Sequence, residues 1–229
     1  MSRIYLIGDS VMKGVVYSEE KNKYSLCGGM RFPELEERGF EVCNLSKMGA
    51  TIEKGYSILT NRLTGDHSSD LVILGYGGND CNFDWKPISE DCKGEYSPYT
   101  PIEKFEAAYR KCISYARSLG AKVMLSALVP LDHHKFMRWI SRGLSYDNIL
   151  KWLGDESMLY RWHENYDRRV RRIAEEEGCE TVDVRTPFLL SHNYKSLLCT
   201  DGIHPTCEGY RLVEQSITGA VKRVAPTAV

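Results

Sequence analysis

The stretch Asp-Leu-Val-Ile-Leu-Gly-Tyr-Gly-Gly-Asn-Asp at residues 70–80 decides the fold class of this chain. Its first part, residues 70–76, is a continuous apolar run, which is typical of a strand covered on both faces. The run leads directly into a glycine-rich turn that carries Asn79 and Asp80. In sheets of parallel strands, ligands bind at the carboxyl ends of the strands. The stretch therefore predicts a parallel sheet with polar site residues at one edge.

Four further apolar runs predict strands, and helical patterns separate them. The apolar runs cover residues 3–7, 40–45, 121–129 and 180–184, and the helical patterns cover residues 31–38, 51–63, 101–119, 158–177 and 208–224. Before the third helix, Thr100 is the candidate N-cap, with Pro101 in the first turn and Glu103 three residues on. Strands that alternate with helices in this way predict parallel βαβ units with right-handed crossovers.

The chain has 229 residues, which suits one large domain over residues 1–229. Two segments, at about 77–99 and 131–157, interrupt the alternation as insertions that leave from strand carboxyl ends. Loops at that edge commonly build the substrate pocket, so we expect both insertions on the active-site side. The second insertion has an alternative reading as a dimer contact, and the sequence leaves the oligomeric state open.

Charge and hydropathy exclude several classes of partner. With 30 basic and 31 acidic residues, the net charge of −1 gives no argument for a nucleic acid or an anionic membrane. No apolar stretch approaches the roughly 20 residues that a spanning helix needs, and the apolar run at residues 4–7 is too short for a signal peptide. We therefore expect a cytoplasmic protein. The arginine pairs at residues 168–172 lie beside Glu175–Glu177 and predict a solvated, salt-bridged helix face.

The eight cysteines give no metal or redox motif. They are Cys27, Cys43, Cys81, Cys92, Cys112, Cys179, Cys199 and Cys207, and no two of them form a Cys-x-x-Cys pair. Reduced thiols are the expected state in a cytoplasmic enzyme. Cys81 and Cys92 flank a loop and would pair only in an oxidising compartment. Cys199, His204 and Cys207 would make only a partial zinc site, because a fourth ligand is missing, so no metal is expected.

Four polar or glycine elements follow the predicted strands and carry a possible chemistry. The first is Gly8-Asp9-Ser10, which places a serine hydroxyl at the end of the first strand. The second, residues 201–205 (Asp-Gly-Ile-His-Pro), offers a histidine base and an aspartate to orient it. The third is the Asn79 amide, and the fourth is the backbone N–H of Gly49; both can donate a hydrogen bond to an oxyanion. Each element alone is more often an ordinary turn.

The four elements together, in the chain order Ser, Gly, Asn, His, closely resemble the SGNH hydrolases, also called GDSL-like lipases or acylhydrolases. The first block appears as Gly-Asp-Ser-Val, with Val11 in place of leucine at a packing position. Gly49 matches the second block, residues 77–80 match the third, and residues 201–205 match the fifth. The resemblance spans residues 8–205. It implies an α/β fold, a three-layer α/β/α sandwich with a mainly parallel, five-stranded, flavodoxin-like sheet.

The resemblance also implies a reaction and the residues that perform it. Ser10 would be the nucleophile, His204 its base, and Asp201 the residue that orients His204. Ser10, Gly49 and Asn79 would form the oxyanion hole. The reaction is hydrolysis of a carboxylic ester through an acyl-enzyme, and it requires no cofactor.

Further residues near the predicted site are candidates for substrate binding: Asp9, Asp80, Trp85, His133 and Trp139. Trp85 and Trp139 lie in the two insertions, where an aromatic platform would suit a sugar ring. Trp152 and Trp162 are more often core or loop anchors. A metal site at His133 and His134 is disfavoured, because adjacent histidines point in different directions and no third ligand is evident.

The substrate class is predicted from what the insertions contain. They are polar and aromatic, and no long apolar lid helix shelters a fatty chain, so we expect a small-molecule substrate: short-chain esters, or O-acetyl esters of carbohydrates. Two alternatives remain open. An acyltransferase would use the same acyl-enzyme with another acceptor. A non-catalytic carbohydrate-binding module would not need all of Ser10, Asn79, Asp201 and His204.

Overall fold

A computed structural model describes residues 2–225 of the chain, and a parallel sheet forms the centre of this region. In chain order its strands are β1 (Arg3–Gly8), β2 (Val15–Ser18), β3 (Lys23–Leu26), β4 (Glu41–Asn44), β5 (Leu71–Gly75), β6 (Lys122–Ser126) and β7 (Glu180–Val182). The sheet has the order β4-β1-β5-β6-β7, and every neighbouring pair in it is parallel. Each of the five predicted apolar runs forms one of these strands, so the predicted fold class is confirmed.

Helices cover both faces of the sheet. In chain order they are α1 (Ser10–Lys13), α2 (Pro33–Glu36), α3 (Ile52–Arg62), α4 (Trp85–Glu90), α5 (Ile102–Ser118), α6 (His133–Ile140), α7 (Tyr146–Leu153), α8 (Ser157–Glu176), α9 (Thr186–Leu190) and α10 (Cys207–Val224), with a 3₁₀ turn at Tyr194–Leu197 between the last two. The apolar sides of α3, α5 and α8 pack on one face. Those of α2, α9 and α10 pack on the other, which completes the three layers.

The sequence of β5 shows why the sheet lies in the middle. Val72 and Leu74 point into the core beneath α3, α5 and α8, whereas Leu71 and Ile73 point into the core beneath α10. Each of these four side chains is at most 2% exposed. Both faces of the strand are therefore buried, and its apolar run shows no alternation with polar residues.

The start of α5 differs from the prediction. The helix has Pro101 as its N-cap, without a side-chain cap hydrogen bond. The side chain of Thr100, the predicted cap, instead hydrogen-bonds Asp80, whose carboxylate is buried. A buried carboxylate needs hydrogen-bond donors more than a helix end does, because the helix end keeps access to water.

The two insertions are structured and form a third apolar cluster at the carboxyl edge of the sheet. The first insertion contains α4, and the second contains α6 and α7. Their side chains pack together with Leu159 of α8; the buried members of this insertion cluster are Phe83, Trp85, Ile88, Leu131, Phe136, Met137, Ile140, Ile149 and Leu159. Both insertions therefore contribute to one apolar cluster, which Leu159 of α8 completes.

A disulfide joins Cys27 to Cys207, 180 residues apart. The expectation that these two thiols are reduced is therefore wrong in this structure. Cys27 directly follows the antiparallel β2–β3 hairpin, which the sequence analysis missed, and Cys207 is the first residue of α10. The other cysteines, including Cys81 and Cys92, are free.

Ion pairs on α8 confirm the predicted salt-bridged face. Arg169 pairs with Glu106 at 3.2 Å, and Arg171 pairs with Asp167 at 2.9 Å. Separately, no helix within residues 2–225 combines the length and apolar character needed to cross a membrane.

The disulfide should contribute strongly to stability, because it closes a loop of most of the chain. We expect a Cys27→Ser, Cys207→Ser double variant to lose about 2–4 kcal/mol of unfolding free energy, measured by urea denaturation without reductant. A matched control is Cys92→Ser, which removes a free thiol. If the double variant unfolds like the wild type and like this control, the disulfide does not stabilise the fold.

Candidate active site

The loop after β1 fixes the position of Ser10. Asp9 is the N-cap of α1, and its Oδ1 accepts a hydrogen bond from the N–H of Val11 at 2.9 Å. At Gly8, a Cβ atom would lie 2.5 Å from the side chain of Met12 and 2.6 Å from the carbonyl oxygen of Gly75. Only glycine allows this close approach. The chain therefore turns sharply at the end of β1 and presents Ser10 at the edge of the sheet.

Ser10, His204 and Asp201 form a continuous hydrogen-bond chain. The Nε2 of His204 lies 2.8 Å from the Oγ of Ser10, and its Nδ1 lies 2.6 Å from Oδ2 of Asp201. Oδ1 of Asp201 accepts the backbone N–H groups of Ile203 and His204, each at 3.1 Å. All three side chains of the chain are buried. The structure thus brings together the three residues that the resemblance assigned to proton transfer.

The hydrogen bonds around Asp201 keep its carboxylate ionised. Burial acts to raise its pKa, but the hydrogen bond and charge of His204, together with the two backbone N–H groups, outweigh burial and hold the pKa below its ordinary value. A fixed negative charge at this position holds the imidazole in the tautomer with its proton on Nδ1, which leaves Nε2 free to accept a proton from Ser10.

The three candidate oxyanion donors, the N–H groups of Ser10 and Gly49 and the amide of Asn79, lie on the chain segments that follow β1, β4 and β5. Gly49 adopts a φ of +71°, which favours glycine, and one N–H of the Asn79 amide is donated to the carbonyl oxygen of Ala50 at 3.1 Å. Asn79 is thereby tied to the Gly49 loop. Within residues 2–225, no protein acceptor takes the N–H of Ser10 or of Gly49. Both donors are therefore free for a ligand.

A cavity of about 290 Å³ adjoins Ser10, His204 and Asn79. It lies between the carboxyl ends of β5 and β6 and the insertion cluster. Its walls carry mainly apolar and aromatic side chains, among them Phe83, Trp85, Leu128, Trp152, Met158 and Trp162. Its position beside a polar triad and its apolar lining are typical of a small-molecule site.

The predicted substrate-binding residues divide into two groups. Asp9 and Trp85 line the cavity. Asp80, His133 and Trp139 do not line it, and their role as substrate contacts stays a prediction. Asp80 is fully buried and accepts the N–H of Ile52 at 3.0 Å, which joins the Asn79 turn to the start of α3.

His133 and Trp139 make other contacts instead. His133 is the first residue of α6 and stacks on His134, with 4.2 Å between the ring centres. Trp139 packs edge-on against Tyr17 of β2 at 4.6 Å, and the guanidinium of Arg142 lies 3.8 Å from its ring centre. Sequence position alone placed both residues near the site, but their helix turns them away from the cavity.

Tyr24 of β3 is a neighbour of His204 that the sequence analysis missed. The two ring centres are 5.2 Å apart, and burial together with the negative charge of Asp201 raises the pKa of Tyr24. The β2–β3 hairpin therefore covers the outer side of His204. The strands of the hairpin have four residues each and are mostly half-exposed, so they carry no apolar run that would reveal them.

Two other buried carboxyl groups near the site have raised pKa values, in contrast to Asp201. Burial raises the pKa of Asp9 to about 6 and that of Asp80 to about 7, and hydrogen bonds from the backbone offset only part of this. Because the folded state holds these protons more tightly than the unfolded chain, the contribution of the two groups to the free energy of unfolding falls as the pH rises from about 4 to about 7.

Asp80→Asn should remove much of this pH dependence, because asparagine keeps an acceptor for the Ile52 N–H without the charge. Relative to the wild type, we expect the variant to gain on the order of 1–4 kcal/mol of unfolding free energy between about pH 4.5 and about pH 7.5. Urea denaturation at both pH values measures it, with the exposed Asp147→Asn as the control. If Asp80→Asn and wild type differ by the same free energy of unfolding at both pH values, the pKa of Asp80 is not raised in the folded state.

Solved structures of other proteins share this fold. A lipase/acylhydrolase from Enterococcus faecalis superposes with a TM-score of 0.67 over 98% of this chain and 97% of its own, at 16% identity. A catalytic mutant of Axe2, an acetylxylan esterase from Geobacillus stearothermophilus, superposes with a TM-score of 0.63 over 96% of this chain and 93% of its own, also at 16% identity. At this level of identity the likeness concerns the fold.

Sequence comparison reaches a family. A GDSL esterase/lipase from Arabidopsis thaliana, CPRD49, is 23% identical over 158 residues, which are 66% of this chain and 54% of the relative. The chain thus spans about half the length of the curated relative that it matches. The model of the GDSL-like lipase/acylhydrolase family matches residues 6–212, from β1 into α10. This match covers most of the chain and confirms the resemblance read from its motifs: the chain belongs to the GDSL-like lipase/acylhydrolase family.

Proposed function

We propose that this chain hydrolyses carboxylic esters through an acyl-enzyme formed on Ser10. The observation that carries the proposal is the hydrogen-bond chain from Ser10 through His204 to Asp201, with 2.8 Å and 2.6 Å between the bonded atoms, at the mouth of an apolar cavity. A serine hydroxyl is a weak nucleophile until a neighbouring base accepts its proton. Membership of a family of esterases and lipases supports the same reaction class.

The proposed reaction has two halves. In the first, Nε2 of His204 takes the proton of Ser10 while Oγ attacks the ester carbonyl carbon, and the imidazolium then gives that proton to the leaving alcohol. In the second, His204 takes a proton from water, the resulting hydroxide attacks the acyl-enzyme, and Ser10 recovers its proton as the acid leaves. Asp201 stays ionised throughout and stabilises the imidazolium. All of these steps use groups of the chain itself.

The negative oxygen that develops in each half needs donors. We assign this role to the backbone N–H groups of Ser10 and Gly49 and to the Asn79 amide. An amide carries two N–H donors, and Asn79 uses one of them on Ala50. That bond orients the side chain, and the second N–H remains for the oxyanion. Donors that are held in place before the reaction stabilise the transition state without a cost of reorganisation.

The substrate predictions from the sequence stay predictions. Likeness to an acetylxylan esterase supports O-acetyl esters of carbohydrates. The cavity, by contrast, has room for a larger and apolar acyl group. An acyltransferase remains the second candidate, because it differs only in the acceptor. The hydrogen-bonded triad supports catalysis over a non-catalytic carbohydrate-binding module, which has no use for it.

A cytoplasmic location also stays a prediction. The disulfide between Cys27 and Cys207 supports an oxidising compartment, where such bonds persist.

Ester hydrolysis should depend on Ser10. We expect Ser10→Ala and His204→Ala to lose nearly all release of p-nitrophenol from p-nitrophenyl esters, because each removes one partner of the proton transfer. Both variants are compared with wild type after their folds are checked by circular dichroism. A folded Ser10→Ala variant with wild-type activity would sink the proposal.

The assigned oxyanion donor can be tested separately. We expect Asn79→Ala to reduce kcat by about 100- to 1000-fold, since removal of one oxyanion donor costs about 2.7–4 kcal/mol in the barrier. The matched control is Asn61→Ala, which removes an exposed amide on α3. Equal kcat values for the two variants would show that the Asn79 amide does not bind the oxyanion.

A further inference from the structure

We propose that the cavity beside Ser10 is an acyl pocket, and that it selects an apolar acyl group much larger than acetyl: a medium-length chain or an aromatic acid. This inference rests on the proposed ester hydrolysis and adds the class of acid that the enzyme releases.

The volume of the cavity is the first argument. At about 290 Å³ it is nearly twice the size of an engineered apolar cavity of about 150 Å³ that holds one benzene molecule. An acetyl group would leave most of this space empty. A chain of six to eight carbons, which is about the size of one to two benzene rings, would fill it far better.

The chemistry of the walls is the second argument. The indole N–H of Trp85 is donated to Oδ1 of Asn82 at 2.8 Å, and that of Trp162 to the carbonyl oxygen of Cys81 at 2.9 Å. The hydroxyl of Tyr96 is donated to the backbone of the first insertion. These side chains therefore offer carbon surface to the cavity, while their polar atoms are already bonded. The hydroxyls of a buried sugar ring would find few partners there and would lose their hydrogen bonds to water.

His163 in the wall carries no charge, although its Nδ1 is buried without a hydrogen-bond partner among residues 2–225. Its ring lines the cavity, and burial, assisted by the positive charge of Arg185, lowers its pKa to about 3. The imidazole is therefore neutral at physiological pH. His163 therefore adds no charge to the wall, in which the ionisable acid is Asp9, next to Ser10.

The course of the reaction favours the acyl group over the alcohol as the occupant of the cavity. The leaving oxygen must lie near Nε2 of His204 to receive its proton, and the alcohol must then depart to solvent. The wall of the cavity includes Ser10 together with Gly75, Ser126 and Leu128 at the ends of β5 and β6. An acyl chain stays attached to Ser10 after the alcohol has left, so a pocket that adjoins Ser10 can hold the chain through both halves of the reaction.

Contacts between aromatic side chains hold the wall of the cavity together. It belongs to the insertion cluster, in which Phe83 packs edge-on against Trp152 at 5.0 Å and contacts Trp85 at 5.6 Å. Aromatic contacts of this kind hold the rings in place beyond simple burial. The pocket is thus preformed, and its depth should set the longest acyl group that fits.

The first experiment varies the acyl group with p-nitrophenol as the constant alcohol: acetate, butyrate, hexanoate, octanoate, dodecanoate and cinnamate. We expect kcat/KM to rise by up to about fourfold for each methylene buried, until the cavity is full, and then to fall. Highest kcat/KM on acetate would overturn the inference while leaving the proposed hydrolysis intact. Activity that persists in Ser10→Ala would instead defeat the proposed function itself.

The second experiment changes the cavity through Met158, which is half-buried in its wall. We expect Met158→Trp to lower the ratio of kcat/KM for octanoate over acetate at least tenfold, and Met158→Ala to move the preferred acyl group to a longer chain. The Ala variant keeps the test decisive should the larger Trp side chain impair folding. Leu190→Trp is the matched control, because Leu190 is 78% exposed and lies outside the cavity.

A third series separates the acyl group from the alcohol. Acetate esters of methanol, hexanol and naphthol are hydrolysed by wild type and by Met158→Trp. We expect the order of preference among these alcohols to be the same in both proteins. If Met158→Trp changes the preference for the alcohol and not for the acyl group, the cavity binds the alcohol, and the inference is wrong.

Discussion

The parallel pairing of β1 with β5 is the constraint on which the site depends. Gly8 lies opposite Gly75 at the carboxyl ends of these strands, and the absence of side chains there lets the two backbones and Met12 pack closely. From β1 the chain crosses to β4 on one side, whereas from β5 it crosses to β6 on the other. Such a reversal opens a crevice between the two strand ends. Ser10 and Asn79 leave from those ends, so the proposed nucleophile and a proposed amide donor line the same cavity.

The remaining groups are held at this crevice by contacts between distant parts of the chain. The Asn79 amide bonds Ala50, and the Asp80 carboxylate bonds Ile52, so the turn after β5 is fixed to the loop after β4. His204 is fixed by Asp201 on one side and covered by Tyr24 on the other. Asp9, Asp80 and Asp201 are all buried near the site, but the pKa values of their carboxyl groups are shifted in different directions. Asp201 receives enough hydrogen bonds and positive charge to stay ionised, whereas Asp9 and Asp80 have raised pKa values because their partners compensate burial only in part.

Features that depend on residues close together in the sequence were predictable, whereas features that depend on distant residues were not. The five central strands were predictable, because burial on both faces imposes a local apolar run such as residues 70–76. The contact between Asp201 and His204 was predictable from a short motif, since the two residues lie three positions apart in one turn. The Cys27–Cys207 disulfide was not, because it joins residues 180 positions apart through a hairpin with no apolar run of its own. Thr100 failed as a cap for a related reason, since its partner Asp80 is buried by the fold and not by the neighbouring sequence.

The residues proposed for the reaction and the residues that shape the cavity are positioned by different parts of the fold. Ser10, Gly49 and Asn79 lie on loops that directly follow strands of the central sheet, and their positions depend on strand pairing, whereas Asp201 and His204 follow the 3₁₀ turn at Tyr194–Leu197. The cavity depends instead on how the two insertions pack against each other and against α8, through contacts such as Phe83 with Trp152 and Trp162 with Cys81. A change in the insertions can therefore reshape the pocket while the strand ends that carry Ser10 and Asn79 stay in place. Since the indole N–H groups of Trp85 and Trp162 are donated to Asn82 and to the carbonyl oxygen of Cys81, the packing that shapes the pocket also makes it more apolar. Chain length and polarity of the acyl group are thus governed by one structural feature, the insertion cluster.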